Sequence, residues 1–342
     1  MSDRLGRRMT RIASTAAGMA GAVLLGIGGG FAVFALAQVL IGVGAAFASG
    51  TDSALLYESL AAEGRTDETE AQEVRAWRFM FVALALSAVT GGVMAQYSGA
   101  LPFFASAVAF AGALVIALQF AEPARARVTE IMRAGSLGAA LRHPVLTWLF
   151  VLSLLMYVFS HVPFIFGQPF ILQALADHGW DGAAPTVSGL VTTVMMGLSV
   201  AVSLVAVRVR QWLGLTVTLL FAFGMQIALA AVLAVTSSAI AIAFLFLRMV
   251  PDSLSKPFIL ARIQPLVGDE SRATYLSLQS LAGRVIFAGT LFAASLAASD
   301  VGEMQHSEMQ SVLAWYVAAG LACFAGLALV AQRLRIEPDA GD

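Results

Sequence analysis

Apolar residues occupy ten long runs of the chain, and short polar turns separate these runs. A helix needs about 20 apolar residues to cross the hydrocarbon layer of a bilayer, and every run reaches that length. The pattern therefore predicts an all-α, polytopic membrane protein with ten transmembrane helices. The predicted helices lie at residues 10–29, 31–57, 74–97, 100–121, 144–174, 184–207, 212–235, 238–262, 273–298 and 310–332.

The longest polar connector between these runs covers residues 122–143, and it contains Pro123 and several Arg residues. It divides the ten runs into a group of four and a group of six. We therefore expect a four-helix bundle at residues 1–121, a cytoplasmic linker at 122–143 and a six-helix bundle at 144–342.

The 20 Lys and Arg residues are distributed unevenly between the two ends of the predicted helices. Apart from Arg248, Lys256 and Arg284, which fall inside runs, they lie at or beside every second turn and near both ends of the chain. The turn with Asp177 and the turn with Asp300 contain none. Because loops rich in Lys and Arg remain in the cytoplasm, we expect a multi-pass protein of the plasma or inner membrane with both termini cytoplasmic.

The composition excludes several classes of protein. Hydrophobic residues make up 59% of the chain, charged residues 12%, and the mean hydropathy is +0.84, whereas soluble domains carry about 25% charged residues. The net charge of −1 and the lack of a basic patch argue against a nucleic-acid partner. With Cys323 as the single cysteine and no HExxH string, we expect no metal site, no cofactor and no catalytic residue. An intramembrane enzyme is the less favoured alternative.

The eighth run carries three charges in its middle, Arg248, Asp252 and Lys256, at positions i, i+4 and i+8. This spacing places them on one helical face. Each charge at bilayer depth costs at least ~2.5–3.5 kcal/mol, so we expect that face to line a polar cavity for substrate or gating. An inert ion-paired stripe is the alternative. Pro251 and Pro257 remove backbone donors nearby and are expected to bend or loosen the helix.

Two further runs carry polar stripes. In the second run, Gln38 and Asp52 share a stripe with Ser49. Gln38 could hydrogen-bond a substrate or a neighbouring helix, and Asp52, nearer the cytoplasmic end, could instead act as a cap or gate. Arg284 in the ninth run could extend towards the interface or pair with an acidic residue such as Asp52.

The fifth run places Tyr157, His161 and Gln168 on one stripe, with two prolines between them. Because an unperturbed His has a pKa near 6.5, His161 is a candidate for a proton-linked step. The alternative is a histidine whose hydrogen bonds are satisfied by a neighbouring helix.

The first residues, Asp3-Arg4-Leu5-Gly6-Arg7-Arg8, resemble the second half of the signature G-x-L-A-D-R-x-G-R-R. That signature lies between helices two and three of the major facilitator superfamily (MFS) of transporters. The resemblance implies a twelve-helix, two-bundle fold from which the first two helices are absent here. It also implies that Asp3, Arg4, Gly6, Arg7 and Arg8 form a cytoplasmic gating motif that biases inward against outward states. Plain positive-inside topology is the alternative. Leu5-Gly6 and Leu213-Gly214 each open a helix after basic residues, a weak echo of a parallel repeat.

The strings at residues 49–60 and 272–277 are similar to those of efflux-type members of this family. The resemblance implies alternating-access transport of a small solute, with the second, fifth and eighth runs lining the cavity. Gln38 stands where proton-coupled members usually have Arg, which argues against drug–proton antiport. The expected partners are the solute, the bilayer and, if transport is ion-coupled, protons, with the protein as a monomer. A truncated, non-transporting fragment is the alternative.

Overall fold

The computed structural model describes residues 5–122, 130–176, 184–235, 244–268, 271–296 and 306–337. Within these ranges the chain is built from α-helices joined by short turns, with 3₁₀ turns at Thr66–Glu68 and Gln264–Leu266. The helices are α1 (Arg7–Ile27), α2 (Phe31–Ala48), α3 (Thr51–Ala62), α4 (Thr69–Tyr97), α5 (Leu101–Gln119), α6 (Glu130–Arg142), α7 (Pro144–Ala176), α8 (Ala184–Leu213), α9 (Leu215–Val235), α10 (Val250–Ile263), α11 (Arg272–Ser295) and α12 (His306–Ala331).

Within the described residues, nine helical stretches are long and apolar enough to cross a membrane. They correspond to nine of the ten predicted runs, and the protein is therefore a multi-pass membrane protein. The eighth run is the exception, because its described helix, α10, has 14 residues. Residues 238–243, with which that run begins, lie outside the described part of the chain. The count of ten crossings stays a prediction.

The second run, predicted as one helix over residues 31–57, is divided into α2 and α3 at Gly50. The backbone of Gly50 lies against α11 so closely that an added Cβ would be 2.8 Å from the Cβ of Leu276 and 3.0 Å from the carbonyl oxygen of Ala273. A larger residue would therefore push α11 away. The break lies where Gly50 takes a left-handed backbone conformation with φ of +72°, which hydropathy does not report.

The most extensive apolar core in the described residues lies among α7, α9, α10, α11 and α12. Two of its buried aromatic side chains hydrogen-bond across helices. The Tyr275 hydroxyl of α11 donates to the carbonyl oxygen of Leu146 at 2.8 Å, and Trp148 Nε1 of α7 donates to the carbonyl oxygen of Leu327 at 3.0 Å. Buried aromatic side chains with a satisfied polar atom fix the relative position of neighbouring helices.

Helices α1 and α9 begin with the same arrangement. Gly6 and Gly214 precede them with φ of +98° and +79°, values that favour glycine. In each case a carboxylate accepts hydrogen bonds from the free backbone N–H groups at the start of the helix. That carboxylate follows another helix, α5 or α12, which packs against the helix that it caps. Glu122 accepts from Arg7 N at 2.7 Å, and Glu337 accepts from Leu215 N. The weak sequence echo thus marks a repeated helix start, as a parallel repeat requires.

Candidate functional site

A central cavity of about 310 Å³ lies between helices from both sides of the 122–143 connector. On one side it is lined by the α2–α3 break and α4, and on the other by α7, α10 and α11. Its described lining residues are Ser49, Gly50, Ser53, Trp77, Ser153, Met156, Tyr157, Ser255, Lys256, Ile259, Leu260, Leu276, Gln279 and Ser280. Two of the predicted site residues, Tyr157 and Lys256, are among them.

The charged stretch of the eighth run is only partly helical. Helix α10 begins at Val250, with Pro251 in its first turn, where the missing proline N–H is not needed. Arg248 lies in the turn at residues 246–249 that precedes the helix. Asp252 and Lys256 therefore lie on one face of a helix, as predicted. Arg248 does not belong to that helix, because it lies in the turn before it. Instead of bending the middle of a helix, Pro251 marks its start.

Asp252 and Lys256 form an ion pair along α10, with Lys256 Nζ 2.6 Å from Asp252 Oδ2. The Asp252 side chain is only 2% exposed, whereas that of Lys256 is 33% exposed. Gln226 of α9 donates to the other carboxylate oxygen, Asp252 Oδ1, at 3.3 Å. The carboxylate is thus held inside the protein by two donors, and the ammonium lies at the cavity wall. Gln226 was not predicted, although a lone amide in an apolar run was a usable signal.

Lys256 also connects the two sides of the cavity. Its Nζ lies 5.2 Å from the ring centroid of Trp77 on α4, within the range of a cation–π interaction. Trp77 was not predicted as a site residue. Nothing in the sequence indicates that a tryptophan at the start of one apolar run contacts a lysine 179 positions later.

Tyr157 and His161 lie one turn apart on α7. The His161 ring stacks on Tyr157 at 4.3 Å and lies 5.0 Å from the Phe287 ring of α11. Its Nδ1 lies 2.8 Å from the Tyr157 carbonyl oxygen, so this nitrogen donates to its own helix. His161 is thus next to a cavity residue without lining the described cavity. Gln168 lies on the same helix, but its side chain is outside the described residues.

The predicted stripe of the second run separates at Gly50. Ser49 and Ser53 line the central cavity, while Asp52 lines a second cavity of about 440 Å³. There Asp52 pairs with Arg11 of α1 at 3.2 Å. Gln38 is exposed on α2, and Arg284 is exposed on α11. Asp52, the predicted acidic partner of Arg284, therefore pairs with Arg11 instead.

The cavity is closed towards the start of α11 by two contacts between helices. Ser277 Oγ of α11 donates to the carbonyl oxygen of Ser49 at 2.9 Å. Further along, Glu58 of α3 joins Arg7 of α1 to Arg272 of α11, with Arg7 Nε 3.1 Å and Arg272 Nη1 3.7 Å from Glu58 Oε1. We call these three residues the charge latch. All three side chains are at most 9% exposed.

The predicted gating motif contributes to the charge latch through Arg7. Arg8 donates its backbone N–H to Glu122 at 2.8 Å and its side chain to the Leu118 carbonyl oxygen, and Gly6 opens α1. Asp3 and Arg4 lie outside the described residues. Glu58 and Arg272 were not predicted as members, because the partner of a buried charge depends on which helices meet.

Two further polar groups near the cavity were missed. Gln279 of α11 lines it, and its buried Nε2 has no hydrogen-bond partner among the described residues. Glu73 of α4 is 2% exposed and hydrogen-bonds to Ser53, behind the cavity wall. Both are polar residues close to one end of an apolar run. At such positions the sequence does not show whether the side chain is buried or exposed.

Comparison with known proteins shows the fold and no close relative. No family model matches the sequence, and no curated protein matches it. Solved structures match nearly the whole chain. The human organic anion transporter MFSD10 aligns at 15% identity and a TM-score of 0.69, over 95% of this chain and 78% of that one.

Two other solved structures also match nearly the whole chain. A bacterial homologue of the iron transporter ferroportin, in an outward-facing state, aligns at 17% identity and a TM-score of 0.66, over 97% of this chain and 85% of that one. The MFS transporter FucP, in the outward conformation, aligns at 14% identity and a TM-score of 0.63, over 96% of this chain and 84% of that one. The chain therefore has the MFS fold, as the resemblance implied, and the similar structures named here are transporters rather than enzymes.

Proposed function

We propose that the protein is a secondary transporter that moves a small solute across its membrane by alternating access. The central cavity is the observation that carries this proposal, because helices from both sides of the 122–143 connector line it and one of its ends is closed. In this fold, solute sites lie near the membrane midplane between two units that tilt against each other. The proposed tilting units are residues 1–121 and 144–342. Since one chain supplies both walls, the proposed working unit is a monomer.

The closed end of the cavity is proposed to face the cytoplasm. The charge latch and the start of α11 lie at this end, and Lys and Arg are concentrated in the turns there. With the ten predicted crossings, both termini would also be cytoplasmic, in the plasma or inner membrane. The structure would then represent a state closed to the cytoplasm, and breaking the charge latch would favour the opposite state.

Export is the proposed direction, and it rests on the resemblance of residues 49–60 and 272–277 to efflux-type transporters. The similar structures include an organic anion transporter, a homologue of an iron transporter and a fucose:proton symporter, so the fold itself does not select a solute. His161 and the Asp252–Lys256 pair are the proposed proton-linked groups. Transport that is unchanged in both His161→Ala and Asp252→Asn would exclude them.

Alternating access can be tested without knowing the solute. In a Cys323→Ser background, Ser49→Cys and Ser277→Cys would place two thiols at the contact that closes the cavity. A third cysteine, Ser153→Cys on α7, reports access to the cavity wall. We expect oxidation of the pair to block labelling of the reporter by a membrane-impermeant maleimide from the cytoplasmic side. Labelling from the opposite side should persist, and reduction should restore labelling from the cytoplasmic side.

The matched control carries Ser277→Cys and the reporter without Ser49→Cys, so that oxidation forms no cross-link. Its labelling should be the same before and after oxidation. If the cross-linked protein is labelled equally from the cytoplasmic side in its oxidised and reduced forms, the cavity does not alternate between two openings and the proposal fails.

A further inference from the structure

We propose that the solute of the central cavity is a small organic anion, bound by the ammonium group of Lys256. This inference rests on the proposed function, since it names the chemical class of the solute for the same cavity. It follows from where the charges lie: among the described residues that line the cavity, Lys256 is the one charged side chain. A solute that enters the cavity therefore meets a positive charge.

The acidic residues around the cavity are turned away from it. Asp252 is 2% exposed and is held by Gln226 behind Lys256. Asp52 faces the second cavity and pairs with Arg11. Glu73 is buried behind Ser53. A cationic solute would thus find no carboxylate at the described cavity wall, and it would meet Lys256 as a like charge.

Lys256 keeps binding capacity beyond its ion pair. An ammonium group has three donors, and Asp252 Oδ2 accepts one of them at 2.6 Å. Arg248, one turn earlier in the sequence, interacts electrostatically with Asp252 as well. The remaining donors of the Lys256 ammonium group are thus available to a carboxylate of the solute.

Gln279 of α11 supplies a second donor, on the same side of the cavity as Lys256. Its Nε2 is buried without a partner in the described residues, and leaving a buried amide donor unsatisfied carries a free-energy cost. An anion that accepts from Gln279 would remove this cost. The hydroxyls of Ser153 and Ser255 donate to backbone carbonyls of their own helices, so they offer the solute mainly acceptor lone pairs.

The rest of the lining favours a ring or a short apolar body next to the anionic group. Trp77 and Tyr157 present aromatic rings, and Met156, Ile259 and Leu260 present apolar side chains. The volume of about 310 Å³ is at the small end for ligand pockets. An aromatic monocarboxylate fits this combination of charge, rings and size.

Three probes of nearly equal shape test the inference: benzoate, neutral benzamide and cationic benzylammonium. Binding of radiolabelled benzoate to the purified full chain in nanodiscs would be measured directly, with the other two as competitors. We expect benzoate to bind and to be displaced at least about tenfold better by unlabelled benzoate than by either competitor, since a charge-assisted hydrogen bond is worth roughly 1.5–3 kcal/mol. Equal competition, preference for benzylammonium or no benzoate binding would overturn the anion assignment.

Variants of Lys256 test the named group. Lys256→Met should weaken benzoate binding at least about tenfold, while Lys256→Arg should retain most of it. The double variant Asp252→Asn with Lys256→Met leaves no buried carboxylate unpaired, so it addresses the case in which the single variant does not fold. Arg333→Gln, which removes one exposed positive charge after α12, is the matched control and should bind normally.

The two proposals fail in different ways. If a folded Lys256→Met variant or the double variant binds benzoate as tightly as the original chain, Lys256 is not the anion site, even if the cavity alternates in the cross-linking experiment. If benzoate binds as expected but the reporter cysteine shows no change in sidedness, the anion site stands and transport by alternating access does not.

Discussion

The ammonium nitrogen of Lys256 lies 5.2 Å from the ring centroid of Trp77, and this contact joins α10 to α4 across the central cavity. The lysine also pairs with Asp252 at 2.6 Å. One side chain thus connects an ion pair inside one helix with an aromatic ring on another. A solute that displaces Lys256 from Trp77 would alter the contact between the two sides of the cavity, which links binding to movement.

Replacement of Trp77 should weaken both the contact between helices and the binding of an aromatic anion. Cation–π contacts contribute about 0.5–2 kcal/mol, so we expect Trp77→Ala to reduce benzoate affinity several-fold and Trp77→Phe to reduce it less. Radioligand binding in nanodiscs measures both. Affinity that is equal in the two variants and the original chain would show that the ring plays no part in binding.

Glu58 should control how often the cavity opens at its closed end. Its carboxylate lies between Arg7 and Arg272, which are almost completely buried, so Glu58→Gln would leave two nearby guanidinium groups with a neutral neighbour. We expect faster labelling of a Ser153→Cys reporter from the cytoplasmic side in this variant.

Glu63→Gln is the matched control for the charge latch. It removes a carboxylate that pairs with Arg65 on the exposed surface at 2.7 Å, and exposed ion pairs contribute only about 0–1 kcal/mol. Its labelling rate should match that of the original chain. A Glu58→Gln variant that is labelled no faster than Glu63→Gln would mean that the buried pair fixes packing only.

The two repeated helix starts should each contribute to stability. Glu122 accepts from the backbone N–H groups of Arg7 and Arg8, and Glu337 accepts from those of Leu215 and Thr216. Loss of a cap costs about 1 kcal/mol, so Glu122→Ala and Glu337→Ala should each lower the unfolding temperature measured in detergent.

Glu337 also pairs with Arg210 at 3.5 Å, so its replacement should cost at least as much as that of Glu122. Because the two caps share no partner, their effects should add in the double variant. Unchanged unfolding temperatures in both single variants would show that water replaces the carboxylates without loss.

Helix positions could be predicted from the sequence because length and hydropathy are local properties. Nine of the predicted runs coincide with helices long enough to cross a membrane. The division at Gly50 was missed, since hydropathy reports neither the positive φ of Gly50 nor its close contact with α11. The exact start of α10 depends on Pro251, whose presence was noted but whose place in the first turn required the backbone.

The candidate site was predictable only where its members lie on one helix. The i, i+4 spacing of Asp252 and Lys256 follows from helix geometry, and the structure places these two side chains in contact. Neither Trp77 beside Lys256 nor Glu58 between two arginines follows from spacing, because those contacts join different helices.

The sequence by itself determined that this protein crosses a membrane many times and carries charge within one of its apolar runs. The hydropathy of a run and the spacing of residues along a helix are set by neighbours along the chain. The tertiary structure decided which of those charges faces the cavity, since Asp252 is enclosed and Lys256 is not. That distinction depends on helices far apart in sequence, whose approach is fixed only when the whole bundle packs.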